Sequence, residues 1–227
     1  MAATAAEIRD TVAPKHLAWF GHYLVVKRVS MQPNFHGLHA SFLKEVDSPV
    51  LYKEVLRSTL ESARELLGSS SISTNSKERQ MLKSIGAWLG LITLARGRPL
   101  LRSELDLREL LLQAFESGRL IACVAFVSKV LEGAAAANAP RVFMPPNPWT
   151  VGILGLLREL YGLEHLKLNL KFEIDMICKV LEVELRALPT SNLLAHRMQP
   201  NLASTPDFST KASQSPDAVP GLAIEDA

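Results

Sequence analysis

The stretch from Met144 to Leu188 limits the possible folds more than any other part of the chain, because it is apolar on too many sides for a surface element. Asn147 can cap the free backbone amides of a helix start, and Pro148 fits the first helical position, where its missing N–H is not needed. A helix is therefore predicted to open at Trp149. Its apolar residues repeat at three- and four-residue spacing in two stripes, which predicts an inner helix covered on both sides.

The second half of this stretch has a pattern that fits two structures. Apolar and polar residues alternate over Leu166–Ile174, which by period alone indicates a strand. Helical spacing nevertheless continues from Leu170 onward, and a single strand in a helical chain would have nothing to pair with. We therefore expect an extended turn at about 165–168 and a helix over about 169–185, which together with the preceding helix forms an inner pair.

The rest of the chain repeats the helical pattern. About nine amphipathic segments are separated by short connections that are rich in Gly, Pro, Ser or Asn. Short connections make consecutive helices antiparallel neighbours. The sequence therefore predicts an all-α fold, an alpha-solenoid of antiparallel helix pairs in which each pair covers the apolar face of the next.

Three local features sharpen this prediction. Asn34 is placed to cap a short helix that ends near residue 46. The next long helix can start at Ser76 with Arg79 or at Asn75 with Glu78, and the second pair has the spacing of a capping box. Gly86 and Gly90 interrupt a helix that is apolar on most of its circumference. Because glycine inside a helix is unfavourable by about 1 kcal/mol relative to alanine, we expect a neighbouring helix to approach closely there.

Composition divides the chain into three parts. A length of 227 residues with 48% hydrophobic and 21% charged residues suits one globular domain with a tail. Residues 1–13 are an N-terminal segment, interpreted as a truncated helix, and 14–188 form the helical domain. Residues 189–227 lack apolar periodicity, so they cannot offset an ordering entropy of roughly 1–2 kcal/mol per residue. They are predicted to be a disordered linker.

No pattern in the sequence indicates catalysis, a metal site or a cofactor. Cys123 and Cys178 lie inside apolar helical patterns, as reduced core thiols do in a reducing compartment. His36 and His39 have a metal-ligand spacing, but no third ligand is in register, so exposed or capping histidines are expected. Phosphate loops and nucleophile elbows are absent. We expect no catalytic residue, no bound metal and no cofactor.

The sequence also gives no indication of a membrane protein. The N-terminus has neither the basic flank nor the apolar run of a signal peptide. Uninterrupted apolar runs stay well below the roughly 18 residues that a membrane-spanning helix needs. We expect a nuclear or cytoplasmic protein.

Basic residues recur at the predicted turns and leave two interpretations open. In a solenoid they could line up as a positive ridge for RNA or an acidic partner, or they could be ordinary solvated helix ends favoured by the helix dipole. The net charge of +2 does not require nucleic-acid binding. The residues concerned are Lys27, Arg28, Arg96, Arg98, Arg102, Lys167 and Lys171.

Five blocks of sequence resemble one known family. The blocks are LVVKRVSMQPNFH (24–36), LGLITLARGRPLL (89–101), AFVSKVLE (125–132), PPNPWT (145–150) and LKLNLKFEIDMICKVL (166–181). Together, and in the same order, they resemble the central region of the large scaffold subunit, Not-one, of the Ccr-Not deadenylase complex. The resemblance covers about 17–188. The family protein is far longer than 227 residues, so this chain is expected to be an excerpt of a scaffold.

The resemblance implies a HEAT-like helical domain of the type found in the middle of translation initiation factor 4G. It implies a docking platform that binds a Caf-type poly(A) nuclease, which carries the Ccr-type nuclease, and the C-terminal RecA lobe of a DEAD-box helicase. Other Ccr-Not subunits would bind elsewhere on the scaffold, and mRNA would be bound only indirectly. The implied roles are mRNA deadenylation, decay and translational repression, in the cytoplasm, including P-bodies, and in the nucleus. The alternative is an RNA-binding helical repeat domain that uses the basic turns.

The resemblance also suggests two binding surfaces. Trp149 is favoured as a contact because the PPNPW sequence can hold an aromatic ring at a helix start, and Trp is enriched at binding hot spots. The expected nuclease-binding residues are Phe126, Lys129, Pro146, Trp149 and Thr150. The expected helicase-binding residues are Arg28, Asn34, Phe35, His36 and Arg96.

Overall fold

The computed structural model describes residues 12–198, 200 and 205–209. Within these residues the secondary structure is helical apart from a single antiparallel bridge between Leu166 and Phe208. The α-helices are α1 Leu17–Tyr23, α2 His36–Val46, α3 Pro49–Gly68, α4 Ser76–Ile92, α5 Leu107–Ser117, α6 Leu120–Leu131, α7 Pro148–Tyr161 and α8 Leu168–Val180. The all-α prediction is confirmed, with eight α-helices among the described residues in place of about nine.

The helices pack in two layers that follow the order of the chain. Helix α4 contacts α2, α3 and α6, and α6 continues the same layer to α8. In the other layer α1 contacts α3, and α5 contacts α7. Consecutive helices α3 and α4, α5 and α6, and α7 and α8 also contact each other. This arrangement is consistent with an alpha-solenoid of helix pairs.

The central helix is α6 and not the α7–α8 pair that the sequence pattern favours. Every residue over 122–128 is buried, and the Phe126 side chain is fully enclosed together with Trp88 and Phe115. Helix α7 is also largely buried, but α8 has one solvent-exposed face. The prediction of an inner pair is therefore wrong for α8, which lies at the edge of its layer.

Side-chain caps explain where several helices begin. The side-chain oxygen of Asn147 accepts hydrogen bonds from the backbone N–H groups two and three residues later, at 2.9 and 3.4 Å. Asn75 caps α4 in the same way, and its amide donates to the Glu78 carboxylate at 3.0 Å. Both predicted caps are confirmed. Asn34 instead lies inside the short 3₁₀ turn Pro33–Phe35, and α2 begins without a side-chain cap.

Glycines bring α4 and α6 into close contact, as predicted. A Cβ atom on Gly86 would lie 2.9 Å from the carbonyl oxygen of Phe126. A Cβ on Gly90 would overlap the carbonyl oxygen of Val130, and one on Gly133 would overlap the backbone of Gly90. Only glycine allows these backbones to approach so closely.

The helical interpretation of the ambiguous stretch is confirmed. Residues Leu168–Val180 form α8, with Leu170, Ile174 and Ile177 buried. The helix ends at Val180 and not near residue 185, because Glu182 adopts a left-handed conformation (φ 59°) that closes the helix. The extended connection before α8 does find a partner for Leu166, which is the bridge to Phe208.

The described part of the C-terminal segment is packed against the helices, which differs from the predicted disordered linker. Leu194 and Phe208 are buried, and the Glu159 carboxylate accepts hydrogen bonds from the backbone N–H groups of Leu193 and Leu194, both at 3.0 Å. Composition could not reveal these contacts because their partners lie far away in sequence. Residues 1–11, 199, 201–204 and 210–227 lie outside the described residues, and the domain boundaries themselves stay predictions.

In the described part of the chain, none of the helices has the length and the apolar character that crossing a bilayer would require.

Candidate functional site

The loop before α7 is held rigidly by its own hydrogen bonds. The amide of Asn147 donates to the carbonyl of Val142 at 2.9 Å, and the Thr150 hydroxyl donates to the carbonyl of Phe143 at 2.6 Å. The Trp149 ring packs edge-on against Phe143, with ring centroids 5.8 Å apart. The loop therefore keeps a fixed shape in which the side chain of Val142 is 56% exposed.

The five residues predicted for nuclease binding differ in their exposure to solvent. Pro146 is exposed and Trp149 is partly exposed, so both are available to a partner. Thr150 and Phe126 are fully buried and cannot contact one, because the first bonds the loop backbone and the second fills the core. Lys129 is partly exposed and paired with a glutamate three residues later at 2.7 Å.

A row of exposed apolar side chains on α8 was missed by the sequence reasoning. Leu168, Phe172 and Met176 are 80%, 62% and 40% exposed and repeat every four residues on the face away from Leu170 and Ile174. We call these three residues the α8 row. The four-residue spacing is present in the sequence, but spacing alone does not show that neighbouring helices leave this face uncovered. Exposed apolar side chains in register on one helix face are typical of a protein-binding surface.

A second exposed apolar group lies near the start of the chain. Met31, Phe35 and Leu38 are 57%, 51% and 46% exposed, on and just before α2. We call these three residues the α2 patch. The predicted helicase residues Arg28, Asn34 and Phe35 are all exposed in this region. The guanidinium of Arg28 lies 5.8 Å from the centre of a tyrosine ring in α1.

Two residues predicted for helicase binding make contacts within the fold. His36 is buried, its Nε2 lies 2.9 Å from the carbonyl oxygen of Val29, and its ring packs near Trp88 at 5.6 Å. Arg96 donates to the carbonyl of Ala40 at 2.8 Å. His36 therefore joins Val29, which lies beyond the end of α1, to Trp88 of α4 and is not available to a partner, whereas Arg96 keeps part of its side chain exposed.

The environment of His36 predicts that stability falls in mild acid. Burial lowers the pKa of His36, and its hydrogen bond to Val29 opposes this only in part. The unfolded chain takes up the proton at the ordinary pKa of 6.5, so just below that pH the unfolded state binds more protons than the folded one. The free energy of unfolding should then decrease as the pH drops below 6.5.

Urea unfolding at a series of pH values checks this prediction. His36→Gln keeps an N–H donor for the Val29 carbonyl but cannot titrate, so its stability should decline less steeply in the same pH window. Some decline should remain, because burial and the nearby positive charges also lower the pKa of His39. Equal slopes for the two proteins would show that His36 does not control the acid response.

Several of the basic residues at the turns have local partners. Arg98 stacks over the Tyr52 ring at 4.1 Å, Arg102 pairs with Asp106 at 2.6 Å, and Lys171 lies 5.4 Å from the centre of another tyrosine ring. Arg98 and Lys171 thus contact tyrosine rings of neighbouring helices, whereas Arg102 pairs with the N-cap residue of α5. The distribution favours solvated helix ends over a nucleic-acid interface.

The remaining chemistry-bearing side chains have structural roles. Burial raises the pKa of Cys123 to about 12 and that of Cys178 to about 11, so both thiols stay protonated at neutral pH. Among the described residues, His, Cys, Asp and Glu form no group of three that could hold a metal ion. The α8 row and the α2 patch stay as candidate binding surfaces.

The fold is an alpha-solenoid of helix pairs that exposes two apolar surfaces, the α8 row and the α2 patch. The sequence model of the family described as the CCR4-NOT transcription complex subunit 1 CAF1-binding domain matches residues 1–204. The chain belongs to this family. The resemblance to the large Ccr-Not scaffold subunit is thereby confirmed, whereas the initiation-factor-4G type of the domain stays a prediction.

Three relatives support the same assignment. The chain is 38% identical over 192 residues to the general negative regulator of transcription subunit 1 of Schizosaccharomyces pombe, and the match covers 85% of this chain. It is 39% identical over 181 residues to the CCR4-NOT transcription complex subunit let-711 of Caenorhabditis elegans, with 78% covered. The corresponding Saccharomyces cerevisiae subunit 1 is 35% identical over 188 residues, with 83% covered. The chain spans only 7–9% of the length of these relatives.

Proposed function

We propose that this chain is a non-catalytic docking domain that binds a Caf-type poly(A) nuclease within a Ccr-Not complex. The family description names CAF1 binding, and the α8 row supplies an apolar surface of the kind that protein partners use. The exposed α8 row is the observation that carries the proposal, because a helix that merely closed the stack would have polar residues at these positions.

The proposed nuclease surface combines the α8 row with the loop before α7. Arg141 in this loop pairs with Glu182, which follows α8, at 2.7 Å, so the loop is tied to the end of that helix. Val142, Pro146 and Trp149 add apolar area from a backbone that needs little ordering on binding. We therefore keep Pro146 and Trp149 in the nuclease surface and replace the buried Thr150 and Phe126 with Val142 and Phe172.

Docking of this kind would act through effective concentration. A Caf-type nuclease held on the scaffold, with a Ccr-type nuclease bound to it, would be kept near any mRNA that other subunits recruit. Deadenylation, mRNA decay and translational repression would follow from this placement and not from chemistry performed by the chain.

A DEAD-box helicase is proposed to bind at the other end of the stack, through the α2 patch. Phe35 offers an exposed aromatic ring there, with Arg28 and Asn34 exposed nearby to make polar contacts. His36 would support this surface from inside, because its hydrogen bond fixes the backbone just before the patch. The two partners would then bind without competing for the same side chains.

A crossed pair of variants tests the two surfaces. Phe172→Asp should weaken nuclease binding by at least roughly tenfold, since it places a charge in a buried apolar contact, and should leave helicase binding unchanged. Phe35→Asp should weaken helicase binding by a similar factor and leave nuclease binding unchanged. Each aromatic side chain is more than half exposed, so neither variant should lose the fold. Calorimetric titration gives the affinities, and circular dichroism and thermal unfolding check the fold.

Two outcomes would contradict the proposal of two separate surfaces. Unchanged nuclease affinity for both Phe172→Asp and Val142→Asp would show that the nuclease binds elsewhere. Loss of both partners in either variant, with the fold intact, would show that one surface serves both.

A further inference from the structure

A short segment far along the chain caps the central helix. Helix α6 begins after Arg119, whose side chain makes no capping hydrogen bond. The Asp207 carboxylate accepts hydrogen bonds from the backbone N–H groups of Leu120 and Ile121, both at 2.8 Å. An acidic side chain is well placed at a helix N-terminus, where the free N–H groups and the helix dipole favour negative charge. We call residues 205–209 the strap.

The strap also adds to the backbone of the connection before α8. The N–H of Lys167 donates to the carbonyl of Asp207 at 3.0 Å, and the N–H of Ser209 donates to the carbonyl of His165 at 2.9 Å. Between these bonds Leu166 and Phe208 form an antiparallel bridge. The strap therefore joins the start of α6 to the connection before α8, by extended pairing of the type that bound peptides use.

The notch that the strap fills is formed by separate parts of the helical body. Gly118 has a left-handed backbone (φ 68°) and leaves space that the Thr205 side chain occupies. Next to Gly118, the N–H groups at the start of α6 donate to the Asp207 carboxylate. Beyond the start of α6, Phe208 is buried, with 4% of its surface exposed. The notch thus recognises three features in order, which are a small residue, an aspartate and an aromatic residue in an extended chain.

Ordering of the strap has free-energy costs as well as gains. Its contacts must offset the entropy of ordering an extended segment. The Thr205 hydroxyl oxygen is buried, and no described residue offers it a hydrogen-bond partner. Burial raises the pKa of Asp207, although the hydrogen bonds from Ile121 and Leu120 and the charge of Lys167 oppose this. Short segments can open locally with free energies below that of global unfolding, while the helices stay folded.

We propose that the notch between the start of α6 and residues 165–167 is a peptide-binding site, which this chain fills with its own strap. When the strap leaves, the notch accepts an extended segment of a partner protein that carries an aspartate followed by an aromatic residue. The strap then acts as an internal competitor, so partner binding at the notch is coupled to release of the segment around residues 205–209.

Amide hydrogen exchange on the full chain tests the first half of this proposal. Asp207→Ala should accelerate exchange of the Leu120, Ile121 and Lys167 amides by at least roughly tenfold, while amides of α4 stay unchanged. Ser209→Pro is a milder variant that removes only the N–H bonded to His165, and it should accelerate the Lys167 amide alone. Uniform acceleration throughout the chain in both variants would show that the strap is part of the global core and would overturn the proposal.

A peptide with the sequence of residues 203–211, ASTPDFSTK, tests the second half. The peptide should bind the Asp207→Ala chain saturably and slow the hydrogen exchange of the accelerated amides again. It should bind the wild-type chain at least roughly tenfold more weakly, because the tethered strap competes with it at a high effective concentration. A peptide with alanine in place of the aspartate, which has no acceptor for the Leu120 and Ile121 N–H groups, should not bind. Failure of the aspartate peptide to bind an opened notch would overturn the proposal. Dimerisation of the wild-type chain through exchanged straps would also overturn it, by assigning the notch to a second copy.

Discussion

Replacing Gly90 with alanine should destabilise the protein by roughly 3 kcal/mol, because the new methyl group would be forced against backbone and not against a flexible side chain. A Cβ at this position overlaps the carbonyl oxygen of Val130, and α4 cannot retreat from α6 without losing the other contacts between them. Chemical denaturation monitored by tryptophan fluorescence measures the change.

Gly37→Ala is the matched control. Gly37 lies in the first turn of α2, and a Cβ there would meet nothing within 4 Å. This variant should be neutral or more stable by about 0.5–1 kcal/mol, since alanine loses less conformational entropy than glycine in a helix. Similar stabilities for the two variants would contradict the close packing of α4 on α6.

Phe126→Ala should lower the free energy of unfolding by roughly 3–5 kcal/mol, which is typical for truncation of an enclosed aromatic ring. The side chain is fully buried in the central helix, next to the position where Gly86 admits the backbone of α6. Any loss of nuclease binding in this variant should track the loss of folded protein. Thermal unfolding and a nuclease titration at low temperature separate the two effects.

Lys129→Ala, one turn further along α6, is the comparison. Its ion pair with Glu132 is partly exposed, and such pairs contribute less than about 1 kcal/mol. A Phe126→Ala variant that remained as stable as Lys129→Ala but lost nuclease binding would restore Phe126 to the binding surface.

The parts of the fold that depend on local chemistry could be predicted from the sequence. The caps by Asn147 and Asn75 involve residues two or three positions apart, and the structure places their hydrogen bonds as expected. Helical spacing over Leu170, Ile174 and Ile177 correctly outweighed the alternation that indicated a strand. These caps and this helix depend on residues within a turn or two of each other, where sequence spacing determines geometry.

The parts that depend on distant neighbours could not be predicted. Whether Phe126 points into the core is decided by α4, which lies some forty positions earlier in the sequence. The strap has the composition of a linker, and its cap on α6 joins residues 87 positions apart. The same limit applies to the binding surfaces. Helical spacing shows which side chains share a face, but only packing shows that the face of Phe172 is left uncovered.

The most direct test of the account is a parallel titration of the chain with a Caf-type nuclease and with single-stranded poly(A), at roughly 50 and 200 mM salt. A docking domain should bind the nuclease one to one with an affinity that changes little between the two salt concentrations, and should bind poly(A) weakly or not at all. Tight poly(A) binding that falls steeply with salt, together with no measurable nuclease binding, would contradict the docking function and favour an RNA-binding repeat domain.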